Sequence, residues 1–194
     1  MTAERHVNGG VLQLSALGTA GDQDGQKLFI AAINNSLQAF RIDNHDLADG
    51  PKYTEGVCVV GLATFGDFIA AADLMRSAQL LVYRAADQTI AKLAGDVRST
   101  WLTSLSMFDA DRIVGAEDFY NLFVWQRNEN NPTVAATTAG GIEWNQLEVI
   151  GQYHTGEMIN RFRQGIFFLF LCCSCFIVLL VMVLAFGEVM RRNQ

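Results

Sequence analysis

The sequence predicts an all-β fold, and two observations carry that prediction. One plan of short apolar runs recurs three times in the first 127 residues, and the aromatic residues that close the repeats, Phe40, Tyr83 and Trp125, lie 43 and 42 residues apart. A period of about 40–45 residues with four short strands per unit is that of a propeller blade. The expected architecture is a partial β-propeller, about three blades plus the start of a fourth, followed by a C-terminal hydrophobic helix. Stacked blades cover both faces of each central strand, which explains why the strands are almost wholly apolar and favours a propeller over a sandwich.

In the first repeat, Phe29 to Ile33 and Leu37 to Arg41 flank the connector Asn34-Asn35-Ser36. In the second, Phe68 to Ala72 and Ala78 to Arg84 flank Asp73 to Ser77; in the third, Arg112 to Ala116 and Asn121 to Trp125 flank Glu117 to Tyr120. Apolar runs of this length joined by polar turns read as β-hairpins. A further strand is expected before each hairpin, at Val11 to Leu17, Val57 to Thr64 and Trp101 to Phe108, and an outer strand at Thr89 to Leu93. The WD dipeptide is absent. Asn128 to Gly141, rich in Asn, Thr, Ala and Gly with Pro132, reads as an exposed loop. Gln146 to Tyr153 is expected as a strand of the fourth unit, with a short helix or strand at Met158 to Phe162.

The domain plan is a partial propeller over 1–165, a hydrophobic segment over 166–186 and a polar tail over 187–194. Residues 1–165 carry twelve Lys and Arg against nineteen Asp and Glu, so this part is more acidic than the whole chain at −6. Affinity for a phosphate backbone grows with Lys and Arg contacts, so the balance argues against direct nucleic-acid binding by this segment. No apolar leader is expected in Met1 to Gly10. Cys58 stands apart from Cys172, Cys173 and Cys175, a distribution that fits no disulfide framework and points to a reducing compartment. The cysteines after 166 read as apolar filler, with palmitoylation as the alternative.

Enzymatic readings find no support. His6, His45 and His154 are scattered without ligand-like spacing to a Cys or carboxylate, so no metal or cofactor is expected. There is no nucleophile elbow and no phosphate-binding glycine loop. Gly9-Gly10 precedes a strand and reads as a turn. Glu117-Asp118 has the look of a catalytic pair but is more simply a hairpin connector. No catalytic residue is assigned.

Several motifs in register resemble one family. They are Gly66-Asp67-Phe68-Ile69, Asp73-Leu74-Met75-Arg76-Ser77, Gly115-Ala116-Glu117-Asp118 with Asn121-Leu122-Phe123-Val124, and Tyr153-His154-Thr155-Gly156-Glu157. Their order and spacing, from roughly Val7 to Gly165, are similar to those of the large subunit of the UV-damaged-DNA-binding complex. Its relatives are a splicing-factor subunit and the large cleavage-and-polyadenylation specificity factor subunit. The Ala-Glu-Asp and Asn-Leu-Phe-Val pairing favours the damaged-DNA-binding branch.

The resemblance implies a nuclear, non-enzymatic scaffold acting in the DNA-damage response and protein ubiquitination. Family members in this branch are adaptors of cullin-RING ubiquitin ligases, with three propellers and a helical domain. One propeller grips the cullin, and the other two form a pocket for WD-repeat substrate receptors. This chain matches part of the last propeller. By the same resemblance, Trp101 sits at a receptor-contacting position, the alternative being a strand tryptophan buried between blades. Val57, Cys58, Val60 and Gly61 align with an apolar contact strand, Cys58 and Gly61 being smaller than the family's residues there. Arg76 reads either as a partner contact or as a solvated or blade-bridging arginine.

The segment 166–186 does not fit the family pattern. It is uncharged, fifteen of its residues are Leu, Ile, Phe or Val, and as a helix its 21 residues would span about 31 Å, close to a bilayer core. Two explanations stand: read-through of non-coding sequence in a gene model, preferred here, or a genuine membrane anchor. The second leaves open a membrane-anchored β-domain that binds another protein. A third reading, a nucleic-acid-binding subunit of an RNA-processing complex, comes from the wider family.

Overall fold

The computed structural model describes residues 4, 6–18, 27–43, 46–56, 58–128, 134–137 and 143–163. Every regular element among them is a strand. The first meander runs β1 (Val11–Leu17), β2 (Lys27–Ile33), β3 (Ser36–Asp43) and β4 (Asp46–Tyr53), each antiparallel to the one before. The second runs β5 (Val59–Phe65), β6 (Phe68–Asp73), β7 (Ser77–Arg84) and β8 (Thr89–Gly95) in the same way. The third has β9 (Leu102–Met107), β10 (Arg112–Glu117) and β11 (Asn121–Arg127), and its fourth place is filled by β13 (Glu143–His154). Between β11 and β13 lies β12 (Val134–Thr137), which pairs with the first part of β13.

The apolar pattern dictates how the meanders stack. Ile69 and Ala71 of β6 are buried in a layer shared with Ile30, Leu37 and Ala39 of the first meander. Ala70 and Ala72, the alternate residues, are buried in a second layer with Leu105, Ile113 and Trp125 of the third. Successive side chains of a strand point to opposite faces, so a run apolar at every position needs a partner sheet on each side. The first strands lie side by side, β1 against β5 and β5 against β9. This is a propeller-type β fold. The repeat markers Phe40, Tyr83 and Trp125 are all buried. Phe40 and Trp125 hold matching places on β3 and β11, where β7 has Leu81, and Tyr83 lies two residues further along.

Polar side chains tie the layers together. The Gln13 amide donates to the Leu62 carbonyl at 2.7 Å and accepts from the Leu62 N–H at 3.0 Å, so β1 grips β5 by imitating a ladder pair. One turn of the pleat further on, the Ser15 and Thr64 hydroxyls are 2.8 Å apart. At the rim, β13 runs briefly parallel to β8, with Asn145 beside Ala94 and Gln146 beside Gly95.

Three expectations change. The strand at Gln146 to Tyr153 does not begin a fourth unit; it pairs with β11 and completes the third. Part of the expected loop at Asn128 to Gly141 is β12, which lengthens β13 into a hairpin. Met158 to Phe162 form neither helix nor strand. The hydrophobic helix expected over 166–186 lies outside the described residues, and among the described residues no helix is long and apolar enough to cross a membrane.

Gly115 supplies a direct check on the third meander. A Cβ built there would sit 2.7 Å from Cζ3 of the buried Trp125 ring. Gly115→Ala is expected to lower the unfolding free energy by about 1–3 kcal/mol, the usual cost of overpacking, with urea denaturation as the measurement. Gln13→Ala, which leaves both Leu62 backbone groups without their side-chain partner, is expected to cost about 1–3 kcal/mol on the same scale.

Candidate partner-binding end

The meander topology gathers certain segments at one end. Within a unit, the first strand leaves that end, the second returns to it, the third leaves and the fourth returns. The turns between second and third strands and the connections between units therefore share it. These are the turns 34–35, 74–76 and 118–120, residues 54–56 and 58 of the first connection, the connection 96–101, and the segment 155–163 after β13. Hydrogen bonds knit them together. The Leu74 N–H donates to Cys58 O at 2.8 Å, Asp118 N–H to Trp101 O at 3.2 Å, and Thr155 N–H to Tyr120 O at 2.8 Å. The Thr103 hydroxyl of β9 reaches Ile159 O at 2.7 Å.

Asp73 shapes the 74–76 turn. Its Oδ1 accepts the N–H groups of Met75 and Arg76 at 2.9 and 3.1 Å, and its Oδ2 accepts Cys58 N–H at 3.2 Å. An aspartate at the head of a turn closes it by bonding the backbone two and three residues on. The price is paid in backbone conformation: Ser77 (φ 62°) and Tyr120 (φ 65°) both sit in the left-handed region, where a residue with a Cβ is strained unless its surroundings hold it. Thr155 supplies that hold for Tyr120, both its N–H and its hydroxyl donating to the Tyr120 carbonyl.

This end carries a group of exposed apolar side chains. Trp101 is 54% exposed and Phe119 71%, and Met75, Val97, Tyr120 and Met158 are exposed with them. Trp101 is thus not a tryptophan buried between sheets. Arg76 is exposed but engaged, its Nη1 donating to Glu55 O at 2.7 Å, which makes it a clip between the 54–58 connection and the 74–76 turn. Cys58 is a half-buried free thiol. Val60 is half-buried against the second apolar layer. Gly61 is covered, its Cα facing Ala72 and Leu105. Val57 lies outside the described residues.

Of the acidic pair, Glu117 is engaged structurally through its side chain and Asp118 through its backbone N–H. Asn121 Nδ2 donates to Glu117 Oε1, and Asn121 Oδ1 lies 3.0 Å from His154 Nδ1, so the side chains of β10, β11 and β13 form one chain of contacts. Among the described residues, no three His, Cys, Asp or Glu side chains gather as a metal site. Phe119, Tyr120, Met75 and Met158 were not singled out from sequence. The available signal was an aromatic pair inside a hairpin connector, where polar residues are the rule.

Tyr53 joins the first meander to the second just below this end. Its hydroxyl lies 3.1 Å from Glu55 Oε2 and 3.2 Å from Gln79 Oε1. Burial, and then the negative charge and hydrogen bond of Glu55, push its pKa well above the ordinary 10.0. Lys92 is held below its ordinary value, chiefly by burial.

Residues 6–169 match the family model described as the CPSF A subunit region. The chain belongs to that family. It is 34% identical over 170 residues to DNA damage-binding protein 1 of Oryza sativa subsp. japonica, a match covering 85% of this chain and 14% of that protein. DNA damage-binding protein 1a of Arabidopsis thaliana is 33% identical over 172 residues, and DNA damage-binding protein 1 of Solanum lycopersicum 32% over 171, with the same coverage. The chain therefore spans about one-seventh of the length of these relatives. The family resemblance read from the linked motifs holds, and the matched region reaches four residues past Gly165.

The Tyr53 environment gives a prediction with a definite sign. A folded-state pKa raised above the unfolded value contributes stability that is present below the unfolded pKa and lost as pH climbs past it. Wild-type stability to urea is expected to fall as pH rises beyond 10.0, the ordinary tyrosine value. Tyr53→Phe should lack that part of the fall; identical profiles for the two proteins would refute the assignment.

Proposed function

We propose that this chain is a protein-interaction scaffold, three blades of a propeller whose end around Trp101 docks a protein partner, and that it has no catalytic role. The observation that carries the reading is the exposed set Trp101, Phe119, Tyr120, Met75 and Met158, brought together on turns that hydrogen bonds hold in place. Large aromatic side chains dominate binding energies when a partner desolvates them, and a braced backbone lowers the entropy lost on docking.

Family membership supplies the partner class. By resemblance to the damaged-DNA-binding branch, the partner is a WD-repeat substrate receptor of a cullin-RING ubiquitin ligase, and the setting is nuclear. Cullin components would join through the same assembly. Trp101 is the anchor, Cys58, Val60 and Gly61 belong to the contact strip by the same resemblance, and Arg76 ties the 74–76 turn to Glu55. Val57 is assigned to the same strip by its place in the sequence.

The test is capture of the tagged full chain by a purified WD-repeat receptor. Trp101→Ala is expected to weaken binding by about 2 kcal/mol, roughly thirtyfold. Phe65→Ala, at an exposed position on the β5–β6 turn at the opposite end, is expected to leave it unchanged. Equal binding by the Trp101→Ala protein and wild type would sink the proposal.

A further inference from the structure

We propose that Asp96 is a positioning residue for the partner-binding end, fixing the 96–101 connection so that Trp101 is presented to solvent. This rests on the reading of Trp101 as a contact and concerns what holds it there. The connection has no regular secondary structure, yet it must carry an exposed indole at a defined place. Asp96 is 7% exposed and follows directly on β8. Its own N–H is anchored to Ala78 O at 2.9 Å.

The carboxylate is gripped from two directions. From the core side, Ser77 Oγ on β7 donates to Oδ2 at 2.9 Å, and the indole Nε1–H of the fully buried Trp125 on β11 donates to the same oxygen at 3.0 Å. These two bonds come from different meanders and fix the carboxylate in the frame of both. From the loop side, Arg98 N–H and Nε donate to Oδ1 at 3.1 and 3.2 Å, and its Nη2 reaches Oδ2 at 3.1 Å. The Arg98 guanidinium also lies over the Phe123 ring, 4.9 Å from its centroid.

Arg98 gives the arrangement its meaning. Joining the meanders requires only Ser77 and Trp125. The three Arg98 bonds instead bend the connection back on the carboxylate two residues into its course. At the far end, Trp101 O accepts Asp118 N–H, and Thr100 is buried. The path to Trp101 is thus pinned near its start and at its finish. A buried carboxylate carrying charge-assisted bonds is a stiff pin, and removing its charge leaves the donors around it poorly matched.

Amide hydrogen exchange on the full chain, read by mass spectrometry, separates this role from general support of the fold. Asp96→Asn keeps the shape but loses the charge. Arg98→Ala removes the two side-chain bonds to Asp96 and the contact with Phe123, keeps the backbone N–H bond, and at a partly exposed residue is expected to fold. Both are expected to speed exchange in 97–101 by about tenfold or more, with β6, β7, β10 and β11 within about twofold of wild type. Unchanged exchange in 97–101 for Arg98→Ala, or acceleration spread evenly over those strands in both variants, overturns the proposal. Receptor capture by Trp101→Ala is measured alongside. If that variant binds like wild type, the interface reading fails, whereas loss of the local exchange effect fails the role of Asp96 alone.

Discussion

The side chains of β6 are buried on both faces, and the rest of the fold follows from that. Ile69 and Ala71 lie in one apolar layer and Ala70 and Ala72 in the next, so neither flanking meander is optional. Burying apolar surface is worth about 25 cal/mol per Å², and only a sheet on each side removes both faces from water. The small residues on β6 let neighbouring sheets approach, while bulk comes from the partners, Leu105 and Trp125 on one side and Ile30 and Leu37 on the other. Gly115 belongs to the same economy of space, since the Trp125 ring fills the volume that a side chain there would need.

Stacking alone leaves the sheets free to slide, because apolar contact has little directional preference. Polar side chains remove that freedom. Gln13 grips the Leu62 backbone, Tyr53 reaches Gln79 and Asp96 draws on Ser77 and Trp125, so each interface has at least one bond whose geometry admits a single register. The bonds of Tyr53 and Asp96 lie toward the end that bears Trp101. The result is a surface whose apolar residues are exposed but whose backbone is held, which is the combination a docking surface requires.

Much of this was legible in the sequence. The hairpins at 29–41, 68–84 and 112–125 follow from apolar runs around polar connectors, and β1 from its own run. β4 left no such trace, because an outermost strand has only one neighbour and tolerates Gly50 and Pro51. The fourth strand of the third unit was assigned to the wrong unit, since β12 interrupts the regular spacing. The candidate docking end was legible only in part. Trp101 stood out through its family position, but the grouping of Phe119, Tyr120 and Met158 around the same end depends on topology rather than on adjacency. The carboxylate of Asp96 gave no signal at all, as its core-side partners lie 19 and 29 residues away.

The displaced outer strand of the third unit also bears on how the chain is made. The first two meanders are complete once residues 53 and 95 have been synthesised, but the third needs β13, which ends at His154. Until then β11 has an open edge, and an open edge is a site for wrong pairing. Translation of the β12 hairpin thus sets a delay during which the half-built unit is exposed to chaperones and to neighbouring nascent chains.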